Sequence, residues 1–276
     1  MKKMMAKSPH QNILGKMSYI IFRTRWGGSL TVIVLLTFWQ LGSMFKVVHP
    51  VYIPKVTVII QALYNVIASG ELLTHYSITL FRMFAGYCIS VVIGVPCGFL
   101  IGYNRVVFNL TESVIELCRP TPVSAIIPIV ILLLGVGDEM KIFIVAWASF
   151  WPILVNTIDG VRGVDRTLME TARMFGATSW ELFKGIILQA ASPHIVTGMR
   201  VSIAISLIVT VIAEMLAGNN GIGFFVLDAE RTFRIPEMYA GVFSLAAIGY
   251  VVNRIFVLLE SFIMAWHKGL TSKEAK

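Results

Sequence analysis

The side chains able to do chemistry in this chain fall in two places. One is Asp165 to Arg200, where Asp165, Arg166, Glu170, Arg173, Glu181 and Lys184 lie between two long apolar runs. The other is the row Ser202, Ser206, Thr210 and Glu214, spaced every four residues within an apolar run, with Asn156 near the inner end of an earlier run. On a helix such a row drifts by about 40° per step and covers about a third of the surface. A carboxylate inside a membrane span costs at least about 2.5 kcal/mol unless sheltered or paired, so Glu214 must face protein or water. It lines a pathway or pairs with a cation, and the sequence leaves both open. The hydroxyls say less, because Ser and Thr often bond their own helix backbone. A phosphate-cradling G-x-x-x-x-G-K-[ST] loop, an H-E-x-x-H pair and a G-x-S-x-G elbow are all absent from the sequence. The chain is therefore expected to catalyse nothing by itself and to hold no metal or cofactor. Cys88, Cys97 and Cys118 lack CxxC spacing and read as small packing residues.

The elements that must position these groups are apolar helices. Of 276 residues, 57% are hydrophobic and 14% charged, whereas a soluble domain is about a quarter charged. The pattern predicts an all-α polytopic membrane protein of about six transmembrane helices, at residues 30–45, 78–102, 123–136, 142–158, 195–217 and 239–266. A basic segment, 1–28, precedes a membrane domain of 29–266, and a tail, 267–276, follows it. The formal charge of +8 is a topology signal. With both termini cytoplasmic, 16 Lys and Arg fall inside against 6 outside. The positive-inside rule selects that orientation, in which the polar segment 159–194 is cytoplasmic. Aromatic residues do not interleave with a basic patch, so no nucleic acid is expected.

Within this frame, several local features carry expectations. Gly94, Gly98 and Gly102 recur every four residues and suit close helix packing. Arg82, near an outer helix end, is expected to reach the interface along its stem. Pro120, Pro122 and Pro128 should interrupt the third span. The segment 159–194 reads as two short helices, Val164 to Phe175 and Trp180 to Leu188, joined at Gly176-Ala177, with Ser179 as the second N-cap and Pro193 ending the polar excursion. The Gly218 to Gly223 stretch reads as a flexible turn, and Phe224 to Met238 beyond it as an outer surface.

Glu170-Thr171-Ala172, then Gly176, then Ile186-Ile187-Leu188 resembles the E-A-A loop of membrane subunits of ATP-binding-cassette importers. Arg119-Pro120-Thr121-Pro122 with Pro128, Gly135-Val136-Gly137, Asn156 to Asp165, Pro193-His194-Ile195 and Ala213-Glu214-Met215-Leu216 extend the likeness to the nitrate, sulfonate, taurine and bicarbonate permease branch. Thr171 and Gln189 depart from its pattern. The resemblance implies a type I importer permease fold in the inner membrane, working as a homodimer with separate ATPase subunits that bind ATP and Mg. It also implies an extracytoplasmic substrate-binding protein and a small, anionic solute. Glu170, Thr171, Ala172, Arg173 and Gly176 would contact the ATPase; Ser202, Ser206, Thr210, Glu214 and Asn156 are the pathway candidates. The competing class is an ion-coupled secondary transporter using Glu214.

Overall fold

A computed structural model describes residues 26–46, 49 and 51–264. The described residues form helices and contain no strand. Of the basic segment 1–28 only Trp26, Gly27 and Gly28 are described, as helix; the tail 267–276 lies outside the described residues. The chain divides into a unit ending at Tyr64 and a larger one beginning at Asn65.

In the first unit, α1 (Trp26–Met44) is tied to the segment after it by side-chain bonds to backbone: Trp39 Nε1 donates to the Pro54 carbonyl at 3.0 Å and Ser43 Oγ to that of Ile53 at 2.9 Å. The next helix, α2 (Val56–Ala68), starts after Pro54 and lies where the apolar spacing predicts one.

The second unit is built on α3 (Glu71–Tyr103), α6 (Asp138–Arg162) and α9 (Leu188–Ala217). Small residues let α3 and α6 approach closely. A Cβ on Gly86 would come within 2.7 Å of Val145, on Gly94 within 3.1 Å of Ile153, and on Gly98 within 2.5 Å of Thr157. Gly86 and Ser90 thus extend the Gly94-Gly98-Gly102 row by two turns. Gly198 of α9 likewise meets the Pro152 carbonyl of α6, where a Cβ would lie 2.9 Å away. Gly98→Val is expected to push α3 from α6 and cost about 1–3 kcal/mol, by the rule for overpacked interiors. Thermal unfolding in mild detergent checks this against Gly185→Ala, whose new Cβ meets nothing within 4 Å.

Apolar contacts between α6 and its neighbours supply the core. Ile127 and Val130 of α5 (Val123–Leu134) join Met140, Ile144 and Val145 of α6 and Val209 of α9. Met83 and Tyr87 of α3 join Ile153, Ile203 and two residues, Val252 and Phe256, of α11 (Ile235–Ile263). Two acidic residues, Asp138 and Glu139, open α6 and complement its N-terminal dipole.

Two expectations about prolines in the spans change. Among the described residues four helices are long and apolar enough to cross a bilayer, with a fifth if a bent pair counts as one span. That pair is α4 (Arg105–Cys118) and α5, bent by 97°; the 12 residues of α5 reach only about 18 Å, short of a hydrocarbon core of about 30 Å. Pro128 lies inside α5 without breaking it. Nor does Pro193 end an element: α8 (Ser179–Leu182), a π turn at Phe183–Ile187 and α9 form one run, Ser179–Ala217, of 39 residues. Pro193 cannot donate to the Gln189 carbonyl, but the Ser192 hydroxyl does so at 2.8 Å, so the helix continues.

Candidate functional site

The polar hairpin between α6 and α9 is assembled by local capping. Asp165 caps α7 (Arg166–Met174), its carboxylate accepting the Thr167 N–H at 2.8 Å. At the far end Gly176 takes φ +85°, a conformation that costs a side chain with Cβ and lets the chain turn. The next cap is Thr178, not Ser179: its hydroxyl accepts the Glu181 N–H while Glu181 Oε2 accepts the Thr178 N–H at 2.7 Å. Ser179 is the first residue inside the helix.

The hairpin presents an apolar surface. Met174 and Phe175 are each 88% exposed and Trp180 is 68% exposed, stacked on Phe183 with ring centroids 5.7 Å apart. Glu170, Thr171, Arg173 and Gly176 are also exposed, and Ala172 is half-buried. Arg173 lines a cavity on one face of α7 together with Arg166.

The second cluster lies at the other end of α9. Glu214 is 0% exposed, and its carboxylate accepts Arg82 Nη1 at 2.8 Å, the Thr79 hydroxyl at 3.0 Å and the Gly223 N–H at 3.0 Å. Arg82 is 1% exposed and also donates from Nε to Asp138 Oδ1 at 2.8 Å, from Nη1 to the Asn220 carbonyl at 3.1 Å and from Nη2 to the Asn220 side chain. The Thr79 hydroxyl in turn accepts the Ile222 N–H at 2.9 Å, and His75 Nδ1 accepts that of Gly221 at 3.0 Å. Lys141 is buried on the first turn of α6. Arg82 therefore does not reach outward along its stem; it is the cation that holds Glu214.

Residues 218–223 are likewise more than a flexible turn. Gly221 has φ +99°, and a Cβ there would lie 2.2 Å from the Glu214 carboxyl carbon. The loop closes over the carboxylate and leads into α10 (Ile222–Arg231), whose Ile222, Phe225 and Ala229 are buried. Arg234 beyond it pairs with Asp228 at 2.6 Å.

The other members of the row are also enclosed. Ser202, Ser206 and Thr210 are each 0% exposed. Ser202 Oγ donates to the Ser149 carbonyl at 2.7 Å, joining α9 to α6, whereas Ser206 and Thr210 donate to carbonyls of their own helix. Asn156 is half-buried and donates to the Pro152 carbonyl at 2.8 Å. Ser202, Ser206, Thr210 and Glu214 are thus all enclosed within this chain. Sequence reading missed Arg82 and Thr79 as partners of Glu214, and Asp138 and Asn220 as partners of Arg82. The available signal was two opposite charges on separate apolar runs, each requiring a partner.

Comparison with known proteins places this arrangement. Residues 90–264 match the family described as binding-protein-dependent transport system inner membrane component. A candidate ABC transporter permease protein of Methanocaldococcus jannaschii is 33% identical over 235 residues, covering 83% of this chain and 88% of that one. A candidate aliphatic sulfonates transport permease of Bacillus subtilis strain 168 is 30% identical, covering 88% and 90%. The fold resembles a chain of the inward-facing MetNI methionine ABC transporter, with a TM-score of 0.60 at 17% identity over 68% of this chain and 94% of that chain. The family is one of permease subunits whose ATP hydrolysis resides in a separate subunit, and membership removes the ion-coupled carrier as a reading of Glu214. From residue 90 to 264 the chain carries the family's pattern, and it belongs to the binding-protein-dependent transport system inner membrane components, the permeases of ABC importers.

Proposed function

We propose that this permease carries a small anionic solute of the sulfonate, nitrate or bicarbonate kind and is driven through its 165–187 hairpin by an ATPase subunit seated on it. The observation that carries the reading is the exposed apolar rim of Met174, Phe175 and Trp180 beside Glu170 and the tight turn at Gly176. Large apolar side chains gathered on an otherwise polar hairpin mark an interaction surface. The capped helices hold that surface rigid, and the unbroken run into α9 connects it to the membrane core. The name of the Bacillus subtilis relative supports the anionic class. An extracytoplasmic binding protein would load the solute.

In the same reading the chain works as a homodimer with both termini cytoplasmic, the translocation path lying between the two copies. The enclosed Ser202, Ser206, Thr210 and Glu214 then serve to hold α9 in its bundle, and the path is lined by other faces. Exposed apolar side chains on α3, α5 and α11, among them Val92, Leu132, Tyr250 and Phe262, are available to the lipid bilayer and the second copy. ATP drives the cycle only to the extent that it binds the two conformations with different affinity.

The test is co-purification. Tagged wild type taken from its native membrane in mild detergent is expected to bring an ATPase with it, and Glu170→Arg to reduce that yield by about tenfold or more, an effect of about 1.4 kcal/mol. Glu170 is exposed, so the variant should elute and unfold like wild type. An ATPase held equally by both would remove the hairpin from the interface.

A further inference from the structure

A cavity of about 420 Å³ lies where the membrane helices give way to the hairpin. Gly102 and Tyr103 from the end of α3, Arg105 opening α4, Arg162 closing α6, and Arg166 and Arg173 on α7 line it, with apolar residues between them. It has four guanidinium groups and no acidic residue in its wall. Glu112, Glu116 and Asp159 line a separate groove with Phe108 and Arg119. Among the described residues, none of the ion pairs involves Arg105, Arg162, Arg166 or Arg173. All four side chains are exposed, and like charges gathered without a counter-charge give the cavity a positive field that attracts an anion from outside the chain.

The geometry favours a particular kind of anion. Arg162 stacks on the Phe108 ring, with 3.6 Å from its carbon to the centroid. Stacking occupies the flat face of the guanidinium and leaves its in-plane N–H donors free, the arrangement that grips phosphate oxygens. On α7, Arg166, Met169 and Arg173 are spaced three and four residues apart, which places them on one helix face. The Leu168 and Thr171 side of the helix is left for a different contact. Two helices long and apolar enough to cross a bilayer end at the cavity, which puts it toward one membrane face.

We propose that this cavity binds a phosphate group, presented by the headgroup of an acidic glycerophospholipid of the inner leaflet. Free phosphate offers the same oxygens, and basic pockets between membrane helices on the cytoplasmic side are the setting in which acidic headgroups are held. The inner-leaflet placement rests on the orientation proposed above. An acidic lipid clamped between α6 and α7 would stiffen the base of the hairpin and make the permease sensitive to the charge of its membrane.

The full chain would be incubated in detergent with phosphatidylcholine alone or mixed with phosphatidylglycerol, and the lipid it retains read by native mass spectrometry. A second arm titrates inorganic phosphate into lipid-depleted protein by calorimetry. The comparison is wild type, the double variant Arg105→Gln/Arg166→Gln, and Arg231→Gln as a basic control outside the cavity. Wild type and the control are expected to retain phosphatidylglycerol, and the double variant to lose about tenfold or more of that retention with phosphatidylcholine unaffected. Phosphate binding that the double variant loses, without selective lipid retention, supports the same site with a soluble source. Equal retention by all three proteins and no phosphate heat would overturn the proposal. So would anion results that do not change while ATPase yield falls, since the arginines would then face acidic groups of that subunit. Lipid retention without any ATPase would leave the cavity standing and remove the coupling reading; ATPase retention without either anion would do the reverse.

Discussion

Arg82→Met is expected to be the most destabilising single substitution in the chain, costing about 3–5 kcal/mol, the range for breaking a buried ion pair from one side. The substitution leaves the Glu214 carboxylate, 0% exposed, with only the Thr79 hydroxyl and the Gly223 N–H to hold its charge. Asp138 suffers less, because its side chain is 55% exposed and water can take over. At 3 kcal/mol the ratio of folded to unfolded protein falls more than about a hundredfold. Glu214→Gln leaves Arg82 one carboxylate, Asp138, and should cost less. The double variant Arg82→Met/Glu214→Gln should recover a large part of the loss, because neither charge is then stranded. Thermal unfolding of the four proteins in one detergent reads the coupling directly. Single effects below about 1 kcal/mol that simply add would mean that the pair is not what holds these helices together.

The second large effect requires no loss of stability. Met174→Asp/Phe175→Asp alters two side chains that are each 88% exposed, so folding should shift by no more than about 0.5 kcal/mol. Binding to the ATPase should weaken by at least about 2 kcal/mol, roughly thirtyfold, because two charges would be driven into an apolar contact. Vesicles carrying the complete transporter would show ATP-driven uptake falling with it. The milder pair Met174→Leu/Phe175→Tyr keeps the apolar contact and should retain both. Normal uptake by the Asp variant would place the ATPase elsewhere on the chain.

The helices and the hairpin were legible because their signals are local. Glu170 and Gly176 lie within about two turns of one another, Gly94, Gly98 and Gly102 mark a face by spacing alone, and the cap of α8 fell one residue from the expected Ser179. The second cluster was not, because its partners are brought together only by the fold: Arg82 and Glu214 are 132 residues apart. Read on its own helix, Arg82 resembles any basic residue at a membrane boundary. The Ser202 to Glu214 row was legible as a face, but periodicity cannot say whether that face meets water or another helix. Pro193 misled for a different reason: proline stops a helix unless another donor serves the freed carbonyl, and Ser192 does so from the adjacent position. The short α5 was hidden because an apolar run continues through residues too few to cross a bilayer.

The run from Ser179 to Ala217 can be viewed as a see-saw. Its 39 residues extend about 58 Å. Gly198, which meets the α6 backbone, lies at the midpoint between the two ends and is the natural fulcrum. A tilt of about 5° there carries each end about 2–3 Å, in opposite directions, on a rod of this length. A shift of that size exceeds the slack of a 2.8 Å contact between Glu214 and Arg82. Any such stroke at Trp180 must therefore either drag α3 along with the far end or unlatch the carboxylate from its cage.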